Sequence, residues 1–284
     1  MKKITFREKI LKHLIKWRKE EIKESGKGKW RGKYYKHILP KELAKLNILA
    51  EYREKFYNYN EENKDKIKFH ECFAHLNSSQ AMCINFFYPL YENKKLDLIL
   101  EFIGFKEEKV DYNTVKFEKE SDIEKNKGMR NPTSFDFYFE TDSKKKFFFE
   151  IKYTEKEFGK ANNKPDRQAE NYNNIFRSIL ECKEKIIKID AENEESKKEK
   201  FSDNYQILRN LICIDDNSYV VFLYPKDNEY ILKAAAASKS FLQPDYNNHL
   251  INKTWEEVIL FAVNKSKSEN IKEYLDKFKK KYFE

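Results

Sequence analysis

This 284-residue chain is poor in several residue types, and each scarcity excludes something. Six glycines and six prolines are too few for collagen-like or glycine-rich repeat architectures. The Gly-Lys pairs at Gly26, Gly28, Gly32 and Gly159 lack the spacing and following Ser or Thr of a Walker A loop, which argues against a nucleotide kinase or ATPase. The four cysteines, at 72, 83, 182 and 213, form no CxxC pair and have no companion histidine at zinc spacing. Structural zinc and iron–sulfur ligation are therefore poorly supported, and free thiols in a reducing cytoplasm are the better reading. Long apolar runs are missing too. The N-terminus carries lysines but never an uninterrupted apolar stretch of about 7–15 residues, and nothing approaches the roughly 18 needed to span a bilayer. A soluble, cytoplasmic protein is expected.

Charge and aromatic side chains are abundant. Lysine and arginine number 57 against 48 acidic residues, a formal net charge of +9, with 23 Phe, 18 Tyr and 3 Trp. That aromatic content argues against a disordered polymer, and the length suffices for a sizeable core. The positive balance suits a polyanionic partner. Only eight of the basic residues are arginine, however, in a chain crowded with Lys, Asn, Ile and Phe, a skew that an AT-rich genome also produces.

Along the chain, residues 4–24 repeat apolar positions at helical spacing, and the basic, aromatic stretch 30–37 reads as turn-like. Residues 77–93 are the least charged stretch and predict a buried helix capped by Asn77 or Ser78. Strands are expected at 98–105, 110–117, 134–140 and 146–154, then a loop over 155–170 running into a helix near 168–182. Residues 190–202 read as a charged linker or helix end, 205–214 as a helix and 219–224 as the best buried strand. Lys-rich amphipathic helices follow over 253–284. The pattern predicts an α/β fold, and the boundaries fall at 1–69 for a helical N-terminal extension, 70–230 for the core and 231–284 for a helical C-terminal extension, together forming one compact domain.

The most informative residues are SFDFYFE (134–140) and KFFFEIKYT (146–154). Both alternate, placing Asp136, Tyr138 and Glu140 opposite Phe135, Phe137 and Phe139, and Phe148, Glu150 and Lys152 opposite the remaining apolar residues. Pairing them as a hairpin with an index sum of 286 puts Asp136 opposite Glu150, Tyr138 opposite Phe148, and Glu140 opposite Lys146 as an ion pair. A one-residue slip would move Asp136 to the wrong face. Two carboxylates beside a lysine suit Mg²⁺, or Mn²⁺ in its place, with several retained waters. They also suit phosphodiester hydrolysis, in which the metal polarises the phosphate and Lys152 orients or helps deprotonate water and offsets developing charge. The alternative is a β-face whose charges pair with one another.

The spacing Asp136–x13–Glu150–Ile151–Lys152, together with SSQAMCINFFYPL, SFDFYFE, FEIKYTE and YQILRN, resembles the PD-(D/E)XK nuclease superfamily, the restriction-endonuclease-like proteins. The resemblance covers a little over half the chain. It implies an αβββαβ core with a mixed sheet and helical extensions, and a catalytic triad of Asp136, Glu150 and Lys152 with Asp136 and Glu150 on the metal. Phe135 rather than proline precedes Asp136. Gln168 and Tyr172 resemble the QxxxY helix motif of exonuclease-like members. Gln80, or Glu71 just before its helix, stands where an accessory acidic residue is often found. Gln206 and Arg209 either line the site or belong to a buried polar network.

The implied function is Mg²⁺-dependent DNA endonuclease, in restriction or another defence against foreign DNA. The alternatives are a non-catalytic nucleic-acid-binding module, or an exonuclease or junction resolvase, on the same fold. A homodimer would suit cutting both strands of a palindrome. His70-Glu71-Cys72-Phe73-Ala74-His75 is not a zincin motif: histidines five apart diverge by about 140° around a helix.

Overall fold

The computed structural model describes residues 4–23, 26–64, 66–159 and 170–283. The chain divides into two compact units: one formed by residues up to 112 together with those from 255 onward, the other by residues 113–254. Among the described residues no helix is long and apolar enough to cross a membrane.

The first unit is mainly helical. Helix α1 (Phe6–Glu21) begins with a Thr5/Glu8 capping box. A two-stranded ribbon, β1 (Gly28–Trp30) and β2 (Lys33–Tyr35), follows, then α2 (Ala50–Glu62) and α3 (Ser79–Glu92). Ser78 is the N-cap of α3, its hydroxyl accepting the Ala81 N–H at 3.2 Å. The absence of charge predicted burial, and residues Gln80 to Leu90 are buried throughout. Pro89 inside α3 has no N–H to offer the Asn85 carbonyl one turn back. The Tyr274 hydroxyl donates to that carbonyl instead, at 2.7 Å.

Residues 98–105, expected as a strand, form helix α4 (Asp97–Phe102). A short apolar run does not distinguish the two. What decides here are the ends: Asp97 accepts the Val110 N–H at 3.0 Å, and Gly104 at φ +100° closes the helix with Phe105 N–H on the Leu100 carbonyl at 2.7 Å.

The second unit holds a five-stranded mixed sheet in the order β3-β4-β5-β6-β7. These are β3 (Val110–Glu120, entered from the first unit), β4 (Ser134–Thr141), β5 (Lys146–Ile151), β6 (Ser218–Tyr224) and β7 (Leu250–Thr254). β4 and β5 are antiparallel; β5–β6 and β6–β7 are parallel. With α3 before it and helices between β5 and β6, the chain order reproduces the expected αβββαβ core. β7 adds a strand inside the stretch read as a helical extension. Its sequence, LINKT, has two apolar residues and too little alternation to announce itself.

All of β6 is buried, as its apolar run predicted. One face of the sheet, with Tyr138, Phe148, Val220 and Phe222, packs with Tyr172, Phe176, Phe201 and Leu208 from the intervening helices. These include α5 (Asp122–Asn126), α6 (Arg177–Cys182) after a π-helical turn at Tyr172–Phe176, α7 (Glu194–Asp203), α8 (Tyr205–Leu211) and, after β6, α9 (Glu229–Ser238). α7 makes a regular helix of the charged 190–202 stretch, started by an Asn193/Ser196 capping box and held by the single buried ring of Phe201.

Candidate active site

The β4–β5 hairpin has the register the sequence predicts. Phe137 stands opposite Phe149, Tyr138 opposite Phe148 and Glu140 opposite Lys146. Phe137, Phe139, Phe147, Phe149 and Ile151 are all buried on one face. Two details differ from expectation. The Glu140 carboxylate accepts the Tyr138 hydroxyl at 2.7 Å, in place of the ion pair expected with Lys146. The Phe135 ring packs 4.8 Å from Phe148, on the face opposite to Phe137, so strict alternation breaks between 135 and 137.

At that break Asp136 comes into play. Its Oδ2 accepts the Ile151 N–H at 2.7 Å, so a side-chain oxygen takes a β5 donor just beyond the last backbone pair. Glu150, on β5, is 5% exposed. Its Oε1 lies 2.7 Å from Lys152 Nζ. Lys152 continues the β5 path, donating its N–H to the Leu223 carbonyl of β6 at 2.9 Å, and its ammonium lies 5.5 Å from the Phe158 ring centroid. The next residues are clamped by buried Asn228, whose Nδ2 donates to the Tyr153 carbonyl at 3.0 Å and the Glu155 carbonyl at 2.9 Å.

Electrostatics divide the roles. Burial, followed by the charges of Glu150 and Glu118, raises the Asp136 carboxyl well above the ordinary range; Lys152 and the Ile151 N–H pull weakly the other way. Burial alone would lower the Lys152 ammonium, but Glu150, Glu155 and Asp136 outweigh it and the net direction is upward. Lys152 is thus held as a cation, and Asp136 sits in a negative field that favours any added positive charge.

Glu118 is a member of this electrostatic group that sequence reasoning missed. It sits near the end of β3 at φ +54°, a left-handed conformation uncommon for a non-glycine residue, and its Oε2 accepts the Ser134 hydroxyl at 3.0 Å. The face it shares depends on that local twist, which alternation within the strand does not foretell.

The remaining candidates fall in different places. Arg209 belongs to a buried network. Its Nε donates to Glu124 Oε1 at 2.8 Å, its Nη2 to Glu124 Oε2, and Nη2 also to the Asn131 carbonyl at 2.9 Å. Glu124 in turn accepts the Thr133 N–H at 2.6 Å and the Thr133 hydroxyl at 3.1 Å. Arg209 therefore pins the residues that lead into β4. Gln206 donates from Nε2 to Asn210 Oδ1 at 3.0 Å, and its N–H reaches the Gly159 carbonyl at 3.2 Å, behind the Phe158 that flanks Lys152. Tyr172 is buried, with its hydroxyl on Glu194 Oε1 at 2.9 Å. Gln168 lies outside the described residues.

Gln80 and Glu71 belong to the first unit. Gln80 is buried, its Oε1 accepting the His70 N–H at 2.9 Å and its Nε2 donating to the Lys68 carbonyl at 3.0 Å. Glu71 is exposed in the turn between. Both ends of Gln80 are thus spent on fastening the 68–70 segment to α3.

Among the described residues no three or more His, Cys, Asp or Glu side chains cluster closely enough to enclose a metal ion. The pair Asp136 and Glu150 matches a hard cation that takes one or two carboxylates and keeps its waters, as Mg²⁺ does. No curated protein and no solved structure matches the chain. A family model described as "Restriction Endonuclease associating with ARP" matches residues 11–283. The mixed sheet, the αβββαβ order and this match across almost the whole sequence agree, and the chain belongs to that restriction-endonuclease family.

Proposed function

We propose that the protein is a Mg²⁺-dependent DNA endonuclease of the PD-(D/E)XK type, acting in restriction or another defence against foreign DNA. The observation that carries this reading is the end of the β4–β5 hairpin, where Asp136 accepts the Ile151 N–H beside Glu150 and Lys152 Nζ lies 2.7 Å from Glu150.

In this mechanism Asp136 and Glu150 would hold the cation, with Mn²⁺ able to replace Mg²⁺ and Glu118 adding negative field from β3. Bound there, the metal supplies Lewis acidity to the scissile phosphate and to the attacking water. Asp136 is kept in place by the Ile151 N–H, so the carboxylate is oriented before any ligand arrives. Before a cation binds, Glu150, Glu155 and Asp136 outweigh burial and favour the protonated form of Lys152. Its contribution would be to orient or help deprotonate the water and to offset charge building on the phosphorane. Gln206 and Arg209 act behind the site, supporting the Phe158 loop and the start of β4.

The test is cleavage of plasmid and linear DNA with Mg²⁺ or Mn²⁺, arrested by chelator. Activity that survives both Asp136→Ala and Lys152→Ala rejects the assignment. The short Glu150–Lys152 ion pair is also what a non-catalytic nucleic-acid-binding module on this fold would contain. Metal-independent DNA binding without cleavage, across methylated and unmethylated substrates, would favour that second reading. Sedimentation with and without palindromic DNA tests the homodimer.

A further inference from the structure

The β1–β2 ribbon in the first unit has a composition the catalytic reading does not use. Residues 26–36, GKGKWRGKYYK, contain five cations (Lys27, Lys29, Arg31, Lys33 and Lys36) and no acidic residue. All five are exposed. None forms an ion pair with a carboxylate among the described residues, whereas other lysines of the same unit do, such as Lys109 with Asp97, Lys277 with Glu51 and Lys280 with Glu21.

The ribbon is also built to stay in shape. Gly28 pairs with Tyr35, Lys29 with Tyr34 and Trp30 with Lys33. Arg31 at φ +45° and Gly32 at φ +83° form the two-residue turn with both central φ values positive that suits a twisted hairpin. Asn, Asp or Gly normally takes the first of these positions; here it holds an arginine, which places a long cationic side chain at the tip despite the conformational strain.

The base is locked by Arg18, only 5% exposed, whose Nη1 donates to the carbonyls of Lys36 at 2.8 Å and Ile38 at 3.0 Å and whose Nη2 donates to that of Gly26 at 2.6 Å. Gly28 passes so close to the following segment that a Cβ there would fall 2.3 Å from the Leu39 carbonyl oxygen. The aromatic side chains steady the cations: Arg31 lies over Trp30 and Lys29 over Tyr34, and Trp30 sits edge-on to His75 at 4.9 Å.

We infer that this ribbon is a duplex-DNA contact that enters a groove with Arg31 leading and Lys29 and Lys33 on the flanking phosphates. Three properties favour duplex DNA. A two-stranded ribbon fits the major groove, arginine pairs bidentately with guanine edges there, and unneutralised lysines gain from counterion release. A preformed, anchored hairpin loses little conformational freedom on binding. The inference rests on DNA being the substrate but concerns affinity and register, separately from the chemistry at Asp136, Glu150 and Lys152.

The test uses the full chain carrying Asp136→Asn, in chelator, with fluorescence anisotropy on a labelled duplex over a range of salt. Combining Lys29→Gln, Arg31→Gln and Lys33→Gln should weaken binding about tenfold or more near 0.1 M salt and reduce the slope of log affinity against log salt by about 2–3. A control with Lys197, Lys198 and Lys200 changed to Gln on α7, where lysines alternate with glutamates, should leave both unchanged. Equal losses in the two triple variants, an unaltered slope in the ribbon variant, or tighter ribbon-dependent binding to duplex RNA or anionic vesicles would each overturn the inference. If the unmodified protein never cleaves yet ribbon-dependent binding persists, the active-site proposal falls and this one stands. Circular dichroism and melting of the ribbon variant verify that its fold is intact.

Discussion

Two charged clusters lie in the sheet-containing unit, and they are built on opposite plans. Around Glu124 and Arg209 both carboxylate oxygens are met by fixed donors: the guanidinium, the Thr133 N–H and the Thr133 hydroxyl. Both residues are almost wholly buried, and the pair balances its own charge. Around Asp136 burial, followed by the charges of Glu150 and Glu118, outweighs Lys152 and the Ile151 N–H, so the carboxyl is pushed towards its protonated form. A closed network of the first kind fixes a backbone. An arrangement of the second kind is costly in a metal-free protein, and it makes physical sense where a cation is to be received.

The sharpest way to break this contrast is catalytic. Lys152→Ala should lower the cleavage rate by about 10²–10³-fold, the range for removing one preorganised electrostatic group. Asp136→Asn should abolish cleavage while leaving the melting temperature unchanged or slightly higher, because Asn still offers an oxygen to Ile151 N–H and removes a disfavoured charge. A large fall in stability would show that Asp136 is structural after all.

Arg209→Ala should do the reverse. Breaking a buried pair by removing one partner costs about 3–5 kcal/mol, read from urea unfolding. Any loss of cleavage should then follow from instability or a displaced β4, and the effect of Glu124→Gln should be similar in kind.

Next in size is stabilisation by divalent cation. A ligand at about 100 times its dissociation constant adds about 2.7 kcal/mol, so Mg²⁺ or Mn²⁺ should raise the melting temperature of the wild type and not of Asp136→Asn. The pH dependence follows from the sign of the Asp136 shift. A carboxyl raised in the folded state binds its proton more tightly there than in the unfolded chain. Metal-free protein should therefore gain stability from this group as pH falls through the raised value, while cation affinity is lost over the same interval. Titrating cation binding in wild type and Asp136→Asn checks both directions.

The smallest expected effect is a rate of thiol modification. Burial pushes the Cys213 thiol up to about 12, and its Sγ lies 3.4 Å from Ser121 Oγ, beside the closed cluster. Exposed Cys182 should react with an aromatic disulfide in native protein, and Cys213 only on unfolding. Fast labelling of Cys213 would mean that the region around Glu124 opens readily.

Much of this was readable in the sequence, for identifiable reasons. The hairpin register follows from period-two alternation, because an index sum of 286 keeps Phe137 opposite Phe149, Tyr138 opposite Phe148 and Glu140 opposite Lys146. The uncharged run gave α3, and YVVFLY gave β6. The limits are equally physical. The run at 98–105 fits a strand or a helix equally well until Asp97 and Gly104 close it as a helix. Glu118 enters through a left-handed twist in β3, and the Asn228 clamp joins residues more than seventy positions apart, neither of which leaves a periodic trace. Arg209 was visible as a candidate, but its partner Glu124 was not.

The two ends of the sequence also meet in one unit. Helix α10 (Trp255–Lys265) and helix α11 (Glu269–Tyr282) follow the sheet in sequence but pack with the helices that precede it. Lys281 donates to Asn47, Tyr282 shares a hydrogen bond with Asn85, and His13 contacts the Lys280 and Lys281 carbonyls. During synthesis, then, the unit that carries the cationic ribbon cannot close its core until α11 has left the ribosome, after every strand of the sheet has emerged.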